Sequence, residues 1–485
     1  MLMPAELPEL DVRGLAEAEP SHTYKSLCRH ILGLFTDKSV ISESDLGDII
    51  EDAFRPFDIE EVVRLQAIRD ENENGAACYV AELWHGPTLA FKDLSMQVLC
   101  GFMETLLAKQ QRRLNLVVAT SGDTGASAIA GVLGKRHLSV TVLYPSPKFS
   151  SISVEQEEQT LRHAGEPNVT VVNCEGTSDD LDVPIEACFG DLAFKEAASI
   201  GSVNSVNVFR VIMQVVHYVY CWLQLRRAHP ERRGLLEVSF YVPSGGCGHI
   251  SAGILARAMG LPIRTLFACV NANDVLHSLL QTGHLDSNPN AVPTLAPSMD
   301  IVVPYNLERI LFLMSGRDQA KVRAWMTRWK KEGKVQLGGE ERAILAETMG
   351  LRSVSTSDEQ ILSTIAQVHR ECGGYVIDPH TAVAAAACLS SSSSPDDGVP
   401  RVIMGCAHPG KFTGAVSKAL GNRPASDWMP LGDRAHPAVA AILALQERAK
   451  GGDDLLSRET PGVHHFVKGQ DWERTLRGIL TSSDM

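Results

Sequence analysis

Two segments of this chain share one plan: an apolar strand, a turn of glycine and small polar residues, and an apolar helix. The first runs Leu114-Asn115-Leu116-Val117-Val118-Ala119-Thr120, then Ser121-Gly122-Asp123-Thr124-Gly125, then a helix through Gly134. The second is the strand over residues 237–242, then Pro243-Ser244-Gly245-Gly246-Cys247-Gly248-His249, then a helix through Met259. Further apolar runs at residues 138–144, 169–172 and 401–405 also alternate with helical segments. Apolar strands of this kind are buried on both faces, so the pattern predicts parallel α/β sheets with ligands at the carboxyl ends of the strands. The glycine turns there let free amides at a helix start approach an anion. The same composition also makes a tight turn with Asp123 or Thr124 as N-cap. Neither loop has the ending of a mononucleotide phosphate loop or the dinucleotide glycine fingerprint, which disfavours nucleotide binding.

A third segment, His85-Gly86-Pro87-Thr88-Leu89-Ala90-Phe91-Lys92-Asp93, sets Lys92 among aromatic and small residues before a helix predicted over residues 94–109. An amine against a low-dielectric wall gives up its proton more readily than one in water, and the free amine can attack an aldehyde. A fourth, Asn204-Ser205-Val206-Asn207-Val208-Phe209-Arg210, gathers polar donors at the start of a helix through Tyr220. It suits a phosphate gripped by Arg210, or equally an N-capped helix with the arginine paired to an acid.

In order, spacing and wording these segments resemble the threonine synthase family of fold-type II pyridoxal-phosphate enzymes, in the longer branch that includes the threonine synthase-like proteins. Further matching stretches are residues 377–382, Pro297-Ser298-Met299-Asp300-Ile301, Tyr305-Asn306-Leu307-Glu308-Arg309 and Ala407-His408-Pro409-Gly410-Lys411-Phe412. The resemblance implies two α/β lobes with pyridoxal 5'-phosphate between them. Residues 1–84 would be mainly helical and lack the family's opening segment, residues 85–220 would form the smaller lobe, 221–425 the larger lobe, and 426–485 a tail. Lys92 would carry the cofactor and shuttle protons. Ser244, Gly245, Gly246, Cys247 and Gly248 would hold the cofactor phosphate, with Asp123 near its phenolic oxygen. Cys406 stands where many relatives place a threonine or serine against the pyridine nitrogen, and a thiol is the weaker hydrogen-bonding group. Thr88, Ser121, Gly122, Asp123 and Thr124 would bind the substrate, the last four at its carboxylate. Asn204, Ser205, Asn207 and Arg210 would receive its phosphate. The implied reaction is conversion of O-phosphohomoserine and water to threonine and phosphate. Its alternatives are a catabolic phospho-lyase releasing 2-oxobutyrate, ammonia and phosphate from O-phosphohomoserine or O-phosphothreonine, and a non-catalytic scaffold.

The 485 residues are 44% hydrophobic, enough for a large core. A net charge of -13 with only short basic clusters disfavours nucleic acid as a partner. The 11 cysteines show no zinc or disulfide spacing, so a reducing compartment and no metal are expected. No run of about 18 apolar residues and no signal-like start is visible, so a cytoplasmic monomer or homodimer without a membrane partner is expected. Residues 390–398 read as a serine-rich loop, 59–67 as an amphipathic helix and 437–449 as a helix in the tail.

Overall fold

The computed structural model describes residues 1–18, 22–70, 76–230, 236–286, 291–390, 398–429, 436–450 and 462–482. Its strands, in chain order, are β1 (Arg64–Arg69), β2 (Cys78–Glu82), β3 (Leu114–Ala119), β4 (Leu138–Pro145), β5 (Val169–Cys174), β6 (Ile200–Gly201), β7 (Val238–Pro243), β8 (Ile263–Val270), β9 (His284–Asp286), β10 (Lys334–Gln336), β11 (Leu351–Ser355), β12 (Arg401–Met404) and β13 (Val463–Phe466). The larger sheet has the order β1-β2-β12-β7-β8-β11 and the smaller one β13-β5-β4-β3-β6. Every pairing in both is parallel except β1 with β2. Strand β7 is buried at every residue and β4 at all but one, as central strands covered by helices on both faces must be. This is a mixed α/β fold of two parallel-sheet lobes with an N-terminal helical region.

Each glycine turn leaves the carboxyl end of an inner strand. β3 passes through Thr120 to Gly122 into the helix Asp123–Val132, and β7 through Ser244 to Cys247 into the helix Gly248–Ala258. Between them runs the helix Val208–Ala228, packed against Tyr24–Gly33, Lys92–Gln110 and Gly248–Ala258. Its length and composition would suit a bilayer, but 83% of its apolar window is buried in the protein, with Arg210, Gln214 and His217 inside. The helices Tyr24–Gly33 and Glu43–Phe54 each begin with a capping box, Thr23 with Ser26 and Ser42 with Asp45. Such boxes satisfy amides that the helix leaves free.

The structure departs from the sequence reading at the margins. Residues 59–67 do not form a helix: Arg64–Arg69 is an edge strand whose pairing with β2 outweighs its weak helical pattern. Thus β1 and β2, which precede residue 84, belong to the larger sheet rather than to a helical region. Beyond residue 425, β13 pairs with β5, and Phe466, Leu476 and Leu480 join Val172 and Leu181 in the core of the smaller lobe. The tail therefore covers an edge that would otherwise stay open. Residues 391–397 of the serine-rich loop lie outside the described residues.

Gly405 closes β12 against the backbone of β2, donating its N–H to Ala81 O at 2.9 Å. A Cβ there would lie 2.3 Å from Trp84 Cζ3 and 2.6 Å from Ala81 O. Gly405→Ala is expected to destabilise the fold by about 1–3 kcal/mol through overpacking. An unchanged urea midpoint would contradict this packing.

Candidate active site

The carboxyl ends of β3 and β7 open onto a cavity of about 470 Å³. Lys92, Ser121, Asp123, Thr124, Asn204, Ser205, Arg210, Gly245, Gly246, Cys247, Gly248 and Cys406 all line it. Thr88, Gly122, Asn207 and Ser244 do not line it, although the sequence placed them in the site.

Lys92 is the first residue of the helix Lys92–Gln110, and the turn before it is pinned to the strand end that carries Cys406. Phe91 N–H donates to Cys406 O at 2.8 Å and His408 N–H to Leu89 O at 3.0 Å. Asp93, fully buried, accepts from Thr88 Oγ1 (2.6 Å), Thr88 N–H (2.8 Å) and Ser127 Oγ (2.7 Å). Burial raises its carboxyl above the usual range against those bonds. Thr88 is thus spent on shaping the lysine turn. Gly86 leaves room for Asp93, whose Cβ would stand 2.5 Å from a Cβ at that position.

Asp123 is the electrostatic centre. Its Oδ2 takes Lys92 Nζ and Ser298 Oγ, each at 3.1 Å, and its Oδ1 takes Lys411 Nζ at 2.8 Å and Gln156 Nε2 at 2.9 Å. Burial pushes its carboxyl up, but Lys411 and then Lys92 outweigh this and hold it well below the ordinary value. Gly122, at φ +141°, packs on Gln156, where a Cβ would come within 2.4 Å of Nε2. Its amide and that of Gly125 both donate to Thr120 Oγ1 at 3.0 Å, so Thr120 does the capping expected of Asp123 or Thr124.

Two features suit two phosphates. The amides of Gly245, Gly246, Cys247 and Gly248 take no protein acceptor among the described residues. They lead into the helix Gly248–Ala258, whose start favours an anion. Asn306 fixes the loop, donating through N–H (3.2 Å) and Nδ2 (2.8 Å) to Gly246 O. Gly245 touches the chain at Met299, where a Cβ would lie 2.9 Å from Cα. These observations fit a phosphate-bearing cofactor. Ser244 lies beneath, with Oγ donating to Val242 O.

Across the cavity Arg210, 3% exposed, donates to Ser95 Oγ and Val203 O, both at 3.2 Å. Burial lowers it to about 10, which leaves it cationic at neutral pH, and it has no carboxylate partner among the described residues. A buried cation without a counter-ion is costly, so the site is built for an anion to arrive. Asn207 is the helix N-cap, accepting from Phe209 N–H at 3.1 Å.

Cys406 faces the same space, and its N–H donates to Thr381 Oγ1 at 2.9 Å. Burial pushes its thiol well up, so it stays protonated. Lys411, Gln156, Ser298 and His380 also gather here, without a role in the sequence pattern. His380 Nε2 accepts from Ser298 N–H at 3.1 Å, while its Nδ1 meets Asp378 Oδ1 at 2.9 Å. Lys411, Ser298 and His380 lay within the matching stretches, and only their folding around Asp123 reveals their place.

Residues 60–328 match the family described as pyridoxal-phosphate dependent enzyme, and residues 381–455 that described as threonine synthase, C-terminal. The chain is 37% identical over 422 residues to threonine synthase-like 2 from Homo sapiens, covering 86% of this chain and 83% of that protein. The crystal structure of threonine synthase from yeast superimposes with a TM-score of 0.83 at 28% identity, covering 99% of this chain and 92% of the other. A pyridoxal-phosphate-bound threonine synthase from Brucella melitensis gives 0.81 at 29% identity, covering 99% and 93%.

Behind the lysine turn His85 bridges Asp58 Oδ1 and Glu82 Oε2, each at 2.9 Å. Burial would lower its pKa, but the bonds to Asp58 and Glu82 prevail and raise it to about 9. A raised value means that its stabilisation is complete below the unfolded value of about 6.5 and is lost as pH rises through about 9. Denaturation at pH 7 and pH 10 is expected to show wild type losing stability relative to His85→Gln, and parallel losses would refute the bridge. Separately, Cys406→Thr is expected to keep cofactor binding and activity. Complete loss of cofactor absorbance in that variant would contradict the match between Cys406 and the threonine or serine that many relatives carry.

Proposed function

The chain belongs to the threonine synthase family of pyridoxal-phosphate-dependent lyases, and from that premise we propose that it converts O-phospho-L-homoserine and water to L-threonine and phosphate. The reading rests on one coincidence: a cavity that holds a lysine paired to a buried aspartate, a loop of four free amides, and a buried arginine without a counter-ion. Two separate anion sites around one amine suit a phosphorylated cofactor together with a phosphorylated substrate.

When bound, pyridoxal 5'-phosphate supplies an electron sink that stabilises a carbanion on the amino acid. The residues of this chain do the rest. Gly245, Gly246, Cys247 and Gly248 would hold the cofactor phosphate through neutral amides, with Cys406 at its ring. Lys92 Nζ would carry the cofactor and move protons, and Asp123 Oδ2 orients that nitrogen at 3.1 Å. Ser121 and Thr124 would take the substrate carboxylate at the start of the helix Asp123–Val132. Arg210, with Asn204 and Ser205, would bind the substrate phosphate and stabilise the charge that gathers as the carbon–oxygen bond breaks.

Similarity to threonine synthase-like 2 favours a second reading, in which the site releases 2-oxobutyrate, ammonia and phosphate from O-phosphohomoserine or O-phosphothreonine. The deciding experiment incubates the purified, cofactor-loaded protein with each substrate and quantifies phosphate, threonine and 2-oxobutyrate. Threonine equal to phosphate is expected from O-phosphohomoserine. Phosphate with 2-oxobutyrate would establish the second reading, and no phosphate would overturn both. Arg210→Ala is expected to lower kcat/KM by roughly 10- to 150-fold, the loss of about 1.5–3 kcal/mol from a charge-assisted bond. An unchanged ratio would remove Arg210 from the phosphate site.

A further inference from the structure

Lys411 is fully buried, a rare state for lysine, and it spends its donors on two acceptors: Asp123 Oδ1 and Thr88 O, each at 2.8 Å. It arises from the turn after β12 and holds Asp123 Oδ1, whereas Lys92 holds Oδ2. We propose that Lys411 is a positioning residue, the standing counter-ion of Asp123, which keeps that carboxylate ionised and aimed into the cavity when Lys92 is engaged by the cofactor.

Charge balance around Asp123 requires this role, given the assignment of Lys92 as the cofactor lysine. Asp123 faces Lys92 from the helix Lys92–Gln110, Lys411 from the turn Pro409–Phe412, His380 from the helix Pro379–Leu389, Gln156 from the helix Val154–Leu161, and Ser298. Cys406, held as a neutral thiol, adds no charge. Lys411 in turn faces Asp123 and Asp93, and Asp93 is already occupied by Thr88 and Ser127. Once Lys92 is committed to the cofactor, its ammonium no longer belongs to Asp123 alone, and a buried carboxylate left without a cation would take up a proton. Lys411 has no such second duty. Through Thr88 O it also ties the lysine turn to the same carboxylate, so one side chain fixes both partners of the ion pair.

Lys411→Met removes the charge and keeps most of the volume, and Lys411→Arg restores a charge. In Lys411→Met the acid limb of the kcat/KM–pH profile is expected to move upward by at least one pH unit. The absorbance–pH titration of the bound cofactor should move with it, while Lys411→Arg recovers part of both. A Lys411→Met protein that loses thermal stability yet keeps both pH dependences of wild type would overturn the proposal. Should that variant not fold, difference infrared spectroscopy of wild type on cofactor loading, read against Asp123→Asn, decides the matter. An Asp123 that stays ionised supports the proposal, and a new protonated-carboxyl band from Asp123 refutes it. A wild-type protein that fails to develop lysine-bound cofactor absorbance would instead refute the assignment of Lys92, so the two failures are distinct.

Discussion

A carboxylate sealed from water where two lobes meet has to be surrounded by donors or give up its charge. Asp123 meets that demand with groups drawn from distant parts of the chain: Lys92, Lys411, Gln156 and Ser298. Three of these positions are fixed by their own local devices. Lys92 is set by a turn stitched to the Cys406 strand end, Lys411 by a short helical turn that also reaches Thr88 O, and Gln156 by a capping box with Ser153. The ion pair therefore acts as a joint: moving any one lobe or turn would strip a donor from a buried charge.

The interior of the fold was readable from sequence because burial on both faces removes the polar alternation from a strand. Strands β3, β4 and β7 stand out for that reason, and the helix after Phe91 shows its apolar period. Edge strands give no such signal. β1 alternates weakly, and β13 is four residues long with two histidines, so both are defined by the neighbour they pair with. The same limit applies to small polar side chains at turns. Thr88, Ser244 and Asn207 had the right chemistry for ligand binding, yet each found a closer backbone or carboxylate partner. Lys411 shows the converse. Nothing in its local sequence marks it as buried, because its partner lies in the other lobe.

The two features suited to anions differ in the kind of donor they offer. The glycine loop after β7 offers amides, which carry no net charge and, through Gly245 against Met299 and Asn306 on Gly246 O, are rigidly placed. Such a site can stay filled without disturbing the charge balance around Asp123. Arg210 is different: its full charge is buried and unmatched among the described residues until a ligand comes. A cation of that kind gains most when negative charge is greatest, as when phosphate departs and its bridging oxygen takes the electron pair. On the proposed reading the neutral loop would retain the permanent group, and the charged site would stand where the bond is broken.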